Sequence, residues 1–147
     1  DQKQLEFTFK KWKPHTVYHA AAFKHVNMVE QNVVSGVSNN VLGTLFCANL
    51  SMKYEVDNFV LISTDKAVKP TNVMGASKRL AEIATQTINY DEHNKSTLFS
   101  IVRFGNVIGS SGSVIPLFRK QIESRSSLTL TDKKAIPFIG KEFEAAI

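Results

Sequence analysis

The chain has little cysteine, no long hydrophobic run and no glycine-rich turn near its start. Its single cysteine, Cys47, excludes an internal disulfide and lies in an apolar helical pattern, which indicates a core residue in a reducing compartment. No apolar run approaches the ~20 residues that a membrane-spanning helix needs, and no secretory leader is visible. These absences exclude a disulfide-stapled secreted domain and favour a protein of the cytoplasm.

Size and charge narrow the possible functions. The 147 residues make one domain at most, with shares of apolar (43%) and charged (21%) residues that are ordinary for a globular protein. The net charge of +5 is spread along the chain, and its densest cluster lies at 10–13. We interpret this cluster as a solvated helix end rather than a nucleic-acid contact, because the helix dipole favours cations there. The basic balance suits an anionic small substrate such as a nucleotide diphosphate.

Short β-rich runs alternate with helical patterns along the chain, which predicts a parallel sheet with crossover helices. Within the helix predicted over 32–54, the spacing of apolar residues places Val33, Val37, Val41, Leu45 and Leu50 near one face. The predicted helices are Leu5–Trp12, Asn32–Tyr54, Asn72–Tyr90 and Val114–Arg125, and the predicted strands are Thr16–Ala22 (buried), Phe59–Ser63 and Leu98–Phe104, with a glycine- and serine-rich loop through Ser113 and an extended segment Leu128–Thr131.

The missing glycine-rich turn bears on the type of sheet. A doubly wound domain normally starts with a strand, a glycine-rich turn and a helix that together hold a dinucleotide pyrophosphate. Here the seven glycines begin only at Gly36, inside a predicted helix. We therefore expect an α/β fold with a partial doubly wound, Rossmann-like parallel sheet that lacks the first βαβ portion.

A hydroxyl, a carboxylate and an amine follow the strand predicted at 59–63. Thr64, Asp65 and Lys66 stand where ligands bind in open parallel sheets, beyond the carboxyl end of a strand. An adjacent carboxylate and amine can serve as the acid and base that elimination of water from a sugar requires, if burial moves each pKa toward neutrality. The alternative is a capped turn with a solvated lysine. Polar residues at other strand ends, His19 and 103–106, favour the functional interpretation.

Met74 and Lys78 lie four residues apart on one face of the next predicted helix. A lysine there can bind the ribose hydroxyls of a nicotinamide cofactor and lower the pKa of a nearby hydroxyl, although Lys78 alone is equally compatible with a surface position. A thioether has no ionisable hydrogen, so Met74 cannot transfer a proton and is expected to pack.

Five motifs in order carry a resemblance to a known family. The chain resembles the extended short-chain dehydrogenase/reductase superfamily and, more narrowly, the UDP-N-acetylglucosamine 4,6-dehydratases of bacterial polysaccharide and glycan biosynthesis. The resemblance covers about Leu5–Thr131, so we expect 1–131 to be part of an NAD(P)-binding domain and 132–147 to be a poorly matching tail. The motifs are His19–Val26, Asn39–Thr44, Ser63–Val68, Pro70–Lys78 and Arg103–Gly109.

The resemblance implies roles for individual residues. Met74 occupies the position where such enzymes usually carry a tyrosine, a substitution similar to that in the membrane-anchored branch of the family. His19 is expected to be a core histidine and Asn40 a structural hydrogen-bonding residue. The implied catalytic residues are Thr64, Asp65, Lys66, Lys78 and the Met74 position; the implied cofactor-binding residues are Ala20, Ala21, Ala22, Ser63 and Lys78; and the implied substrate-binding residues are Lys24, His25, Arg103, Asn106 and Ser113.

The resemblance also implies a redox-neutral reaction with bound NADP or NAD. Lys66 would remove the proton on sugar C5 while Asp65 protonates the departing C6 hydroxyl, which gives a UDP-4-keto-6-deoxy sugar. The implied partners are a UDP-sugar and a second copy of the chain, with no nucleic acid, and a membrane only through segments absent from this chain. The full-length protein would then lie on the cytoplasmic face of the inner membrane. The alternatives are a sugar-nucleotide epimerase or reductase, and a truncated fragment that is inactive alone.

Overall fold

The computed structural model describes residues 1–105, 114–128 and 144–146. Helices and strands alternate through most of the chain, as the sequence predicted. The elements in chain order are α1 (Gln2–Trp12), β1 (Thr16–His19), α2 (Val26–Gln31), α3 (Val33–Val37), a π-helical segment (Ser38–Leu42), α4 (Gly43–Lys53), β2 (Asn58–Thr64), a 3₁₀ turn (Asp65–Ala67), α5 (Val73–Asn89), β3 (Leu98–Phe104), α6 (Val114–Glu123) and β4 (Glu144–Ala146).

The sheet has the strand order β1-β2-β3-β4. The first three strands are parallel, with Tyr18 opposite Val60 and Leu61 opposite Ile101. Their carboxyl ends therefore lie at one edge of the sheet, which confirms the predicted parallel α/β architecture. β4 runs antiparallel to β3, with Val102 opposite Ala145; the sequence did not predict this strand.

The predicted end of β1 is wrong, because β1 ends at His19 and Ala20–Ala22 lie in the loop that follows it. The short helix α2 was not predicted. The prediction of a buried strand is also wrong, because Tyr18 is 72% exposed and the other three residues of β1 are only half-buried. The physical reason is its place at the outer end of the described sheet, where it pairs with β2 on one side only.

The predicted long helix is present as the continuous run α3, π segment and α4. Its most deeply buried positions are spaced by three or four and carry small or polar side chains, and Val33 of the predicted apolar row is exposed. Small residues allow close packing: a Cβ at Gly36 would lie 2.7 Å from Cγ1 of Val29. The buried positions of this face are Gly36, Asn40, Thr44, Ala48 and Ser51.

By length and composition alone, the helical run 33–53 is long and apolar enough to span a membrane. This corrects the expectation that no apolar run approaches the length of a membrane-spanning helix. Buried helices of globular proteins pass the same test. In this structure a third of the most apolar window is buried.

The hydrophobic core lies between the sheet and the helices α1, α4 and α5. Alternate residues of the central strand β2 point into it, and Phe59 and Leu61 are fully buried. Cys47 belongs to this core, as predicted, and burial raises the pKa of its thiol to about 11. The other buried members are Phe9, Ala48, Leu50, Val56, Ala81, Ile88 and Phe99.

Candidate functional site

The 3₁₀ turn that follows β2 brings Thr64, Asp65 and Lys66 together. Thr64 Oγ1 donates to Asp65 Oδ1 at 2.9 Å, and the same carboxylate oxygen accepts from the Lys66 amide at 2.9 Å and from Lys66 Nζ at 3.2 Å. Thr64 Oγ1 also accepts from the Lys66 amide at 3.4 Å, so the capped turn of the alternative interpretation is present. The lysine is nevertheless ion-paired rather than merely solvated. The side chains of Lys66 and Asp65 are 38% and 33% exposed, which leaves both groups accessible to a ligand.

Lys78 lies behind this turn and is almost completely buried. Its Nζ donates to the carbonyl oxygen of Ile62 at 2.6 Å, which fixes the amine beneath the end of β2. Burial lowers the pKa of Lys78, and the negative charge of Glu82 partly opposes that effect. The alternative of a surface position is therefore wrong. Met74, one turn earlier, is also buried, in agreement with its expected packing role.

Glu82 is a buried carboxylate that sequence reasoning missed. Ser63 Oγ donates to its Oε1 at 2.6 Å, and Arg79 Nη1 donates to its Oε2 at 2.8 Å. Arg103 donates to both oxygens. Ser63 and Arg103, which are predicted to bind the cofactor and the substrate, both donate to Glu82 in this structure. The only sequence signal was an acidic residue four positions after Lys78, on the same helix face.

The loop after β1 borders the same edge of the sheet and is held by Asn40. The amide of Phe23 donates to Asn40 Oδ1 at 2.7 Å, and Asn40 Nδ2 donates to the Phe23 carbonyl at 3.1 Å and to Ser77 Oγ at 3.0 Å. Asn40 is therefore the structural hydrogen-bonding residue that was expected. Ala20, Ala21, Lys24 and His25 are exposed, and Ala22 is half-buried. A cavity of about 530 Å³ beside the loop is lined by Ala22, Phe23, Lys24, His25, Met28, Val29, Asn32 and Ser35.

His19 is the last residue of β1, and its hydrogen bonding fixes one tautomer of the imidazole. Thr44 Oγ1 donates its proton to the carbonyl of Asn40 at 2.7 Å, so it can only accept at the 3.0 Å contact with His19 Nε2. The proton of the imidazole is therefore on Nε2. Burial, with a contribution from the positive charge of Lys78, lowers the pKa of His19 to about 4. It is a satisfied, neutral core histidine, as expected.

The structure thus brings together most of the predicted residues at the carboxyl edge of the sheet. Asn106 and Ser113 lie outside the described residues, as do the glycine- and serine-rich loop and most of the predicted segment Leu128–Thr131. The roles of the remaining residues stay predictions. Chemically, the edge offers a partly exposed carboxylate–amine pair next to a buried lysine of lowered pKa.

Comparison with known proteins adds independent findings. The family described as "Polysaccharide biosynthesis protein" matches residues 1–145, and so extends through most of the tail 132–147. The chain is 56% identical over 120 residues to the capsular polysaccharide biosynthesis protein CapD of Staphylococcus aureus (82% of this chain, 20% of CapD). It is 41% identical over 124 residues to UDP-glucose 4-epimerase of Rickettsia canadensis (84% and 36%). It is 38% identical over 123 residues to the inverting UDP-N-acetylglucosamine 4,6-dehydratase of Campylobacter jejuni (83% and 37%).

Solved structures show the same fold. Pen from Bacillus thuringiensis matches with a TM-score of 0.84 and 36% identity, covering 90% of this chain and 40% of Pen. The dTDP-glucose 4,6-dehydratase DesIV of Streptomyces venezuelae, a double mutant solved with NAD bound, matches with a TM-score of 0.78 and 19% identity (87% and 44%). The chain spans between 20% and 37% of the length of the three curated relatives.

Proposed function

The chain belongs to the family of polysaccharide biosynthesis proteins, and we propose that it forms the catalytic core of a sugar-nucleotide 4,6-dehydratase acting on UDP-N-acetylglucosamine. One observation carries the proposal: Lys66 Nζ and Asp65 Oδ1 lie 3.2 Å apart, partly exposed, at the carboxyl edge of a parallel sheet. The resemblance to a named 4,6-dehydratase over 83% of the chain supports the same substrate class.

The residues present fit the nicotinamide end of NAD or NADP. An ammonium carries three N–H donors, and the bond to Ile62 uses one of those of Lys78, which leaves donors for ribose hydroxyls. The exposed, small side chains of Ala20 and Ala21 allow a flat ring to approach the loop closely. The chemistry that the cofactor supplies when bound is reversible hydride exchange with the sugar.

The Asp65–Lys66 pair can perform the elimination without an outside proton source. Moving one proton along their contact converts the ion pair into a neutral amine and a neutral carboxylic acid, and removal of water on substrate binding favours that neutral form. Lys66 then takes the C5 proton while Asp65 gives its proton to the departing C6 hydroxyl. The step releases water and returns the two side chains to the ion pair, so atoms and charge balance.

The second candidate is a UDP-sugar 4-epimerase, because a relative with that name is 41% identical to the chain. Epimerisation at C4 needs no acid and base for elimination. The adjacent pair at 65–66 therefore favours the dehydratase. In either case the substrate is a UDP-sugar, and we assign the catalytic part to the cytoplasm, at the inner face of the membrane if the full-length protein carries spans.

The test uses the full-length gene product with UDP-N-acetylglucosamine and NAD or NADP. We expect NMR to detect a UDP-4-keto-6-deoxy sugar, and Lys66→Ala to lower the rate of its formation at least ~10²-fold, as loss of a general base does. NAD(P) affinity, measured by calorimetry, should stay nearly unchanged. Lys69→Ala is the matched control, since Lys69 is exposed and three residues away.

The outcomes separate the candidates. Equal loss of product formation and cofactor affinity in Lys66→Ala would argue against the role given to Lys66. Formation of the C4 epimer without loss of water would favour the epimerase. A full rate in Lys66→Ala would contradict the mechanism altogether.

A further inference from the structure

We propose that Gly75 is a positioning residue for proton abstraction: without a side chain, it lets the Lys66 backbone lie against the first turn of α5 and so fixes the place of the Lys66 amine. The inference rests on the proposed dehydratase function, because it concerns the step assigned to Lys66. It adds a residue that touches neither substrate nor cofactor and acts through Lys66.

The contact joins two backbones. A Cβ added to Gly75 would lie 2.5 Å from the carbonyl oxygen of Lys66 and 3.3 Å from its carbonyl carbon. It would also lie 3.4 Å from Oδ1 of Asn72, which caps α5 by accepting from the Gly75 amide at 2.8 Å. The end of a flexible side chain could rotate away from such a contact. A backbone carbonyl cannot, so the whole turn would have to shift.

The turn has little room to shift on its own. The Val68 amide donates to the Asp65 carbonyl at 3.1 Å, and Ala67 between them is fully buried. The Lys66 amide is bound to the Asp65 carboxylate and the Thr64 hydroxyl. A displacement of the Lys66 carbonyl is therefore transmitted to the Asp65–Lys66 pair and changes the direction in which the amine is presented.

Backbone conformation does not require a glycine at this position. The φ angle of Gly75 lies outside the positive range that disfavours other residues, and glycine within a helix is less favourable than alanine. The requirement comes from the close approach of Lys66. Gly43, at the start of α4, provides the contrast: a Cβ there would have its nearest neighbour, the Ser38 carbonyl oxygen, at 3.9 Å, an ordinary contact.

The experiment compares Gly75→Ala with Gly43→Ala in the full-length gene product. The substrate is UDP-N-acetylglucosamine with hydrogen or deuterium at C5. For Gly75→Ala we expect kcat for dehydration to fall ~10²-fold, the usual effect of misplacing a reacting group by ~1 Å, with KM and NAD(P) affinity retained. The deuterium isotope effect on kcat should rise, because C5 proton abstraction becomes the slow step. Gly43→Ala should match the unmodified protein in kcat and in the isotope effect.

The isotope effect distinguishes positioning from mere loss of folded protein, which lowers kcat without altering the isotope effect. An unchanged kcat in Gly75→Ala, or a reduced kcat with an unchanged isotope effect, would overturn the inference and leave the dehydratase intact. Absence of dehydration by the unmodified protein would instead overturn the proposed function, and the inference with it.

A second pair of variants covers the case in which Gly75→Ala does not fold. Asn72→Ala adds no atoms but removes the cap that holds the first turn of α5 at Gly75. We expect a smaller fall in kcat and, with it, a smaller rise in the isotope effect. Asn72→Asp keeps a side-chain oxygen that can cap the helix and should restore both values. Failure of Asn72→Ala to change the isotope effect would count against the inference.

Discussion

Arg103 on β3 and Glu82 on α5 form a two-point ion pair, with Nε 2.9 Å from Oε1 and Nη2 2.7 Å from Oε2. Glu82 is fully buried, and it also accepts from Ser63 at the end of β2 and from Arg79 on its own helix. One carboxylate therefore ties the carboxyl ends of two strands to the helix that carries Lys78. Ser63 directly precedes Thr64, and Glu82 lies one helical turn after Lys78, so the geometry of the candidate site depends on a buried carboxylate outside it.

Replacing Glu82 by Gln should be strongly destabilising. The change leaves Arg103 without its counter-charge, and breaking a buried pair in this way costs about 3–5 kcal/mol of unfolding free energy. Urea unfolding at neutral pH measures the difference in unfolding free energy between the unmodified protein and Glu82→Gln. Glu92→Gln is the control, because Glu92 is exposed and its replacement should change stability by less than about 0.5 kcal/mol. If Glu82→Gln lost as little unfolding free energy as Glu92→Gln, the structural role of Glu82 would be contradicted.

The stabilisation of the fold by Glu82 should also depend on pH. Burial raises the pKa of Glu82, but hydrogen bonds from Arg103, Ser63 and Arg79 outweigh it and hold the pKa below the usual 4.5. A carboxylate with a lowered pKa stabilises the fold above its unfolded-state pKa and loses that contribution as pH falls through the folded-state value. The stability difference between the unmodified protein and Glu82→Gln should therefore narrow below about pH 4.5.

His19 should remain neutral far into the acid range. Its pKa of about 4 results first from burial and second from the charge of Lys78. At pH values between the ordinary pKa of 6.5 and the folded-state pKa of about 4, His19 binds a proton in the unfolded state but not in the folded state. His19 therefore lowers the free energy of unfolding as pH decreases through this range. NMR titration of the imidazole should give a midpoint near 4 in the folded protein and near 6.5 in urea.

The contribution of His19 to the pH dependence of stability can be measured directly with a variant. His19→Gln should remove the part of the stability loss between pH 6.5 and 4 that belongs to this imidazole. An imidazole that titrates near 6.5 in the folded protein would show that His19 is solvated, and would contradict its burial.

The sequence predicted that Thr64, Asp65 and Lys66 lie together at the end of a strand because that information is local. They follow an apolar strand directly, and the capped turn and the ion pair both depend on neighbours in the chain. Glu82 was missed because its partners come from β2 and β3, 19 and 21 residues away, and no periodicity marks a buried carboxylate. The π segment was missed for a related reason, since its buried face carries Asn40 rather than an apolar residue.

Asn40 illustrates how such a residue acts on the site from a distance. It is fully buried, and its side-chain amide makes four hydrogen bonds: two to the backbone of Phe23, one to Ser77 and one from Asn39. π-Helical segments of this kind often lie at functional sites. Here the segment places the amide where it joins the loop after β1 to α5, so the loop position depends on this one side chain.

Replacing Asn40 by Ala should release that loop. The amide and carbonyl of Phe23 lose their partners, and each buried polar group left unsatisfied costs about 1–3 kcal/mol unless the loop moves to reach water. We therefore expect the Phe23 amide to lose its protection from hydrogen exchange, measured by NMR, while amides in β2 remain protected. Asn49→Ala on the exposed side of α4 is the matched control and should leave Phe23 protected. Uniform loss of protection across the domain would mean that Asn40 holds the whole fold, whereas continued protection of Phe23 would show that the loop is held by other contacts.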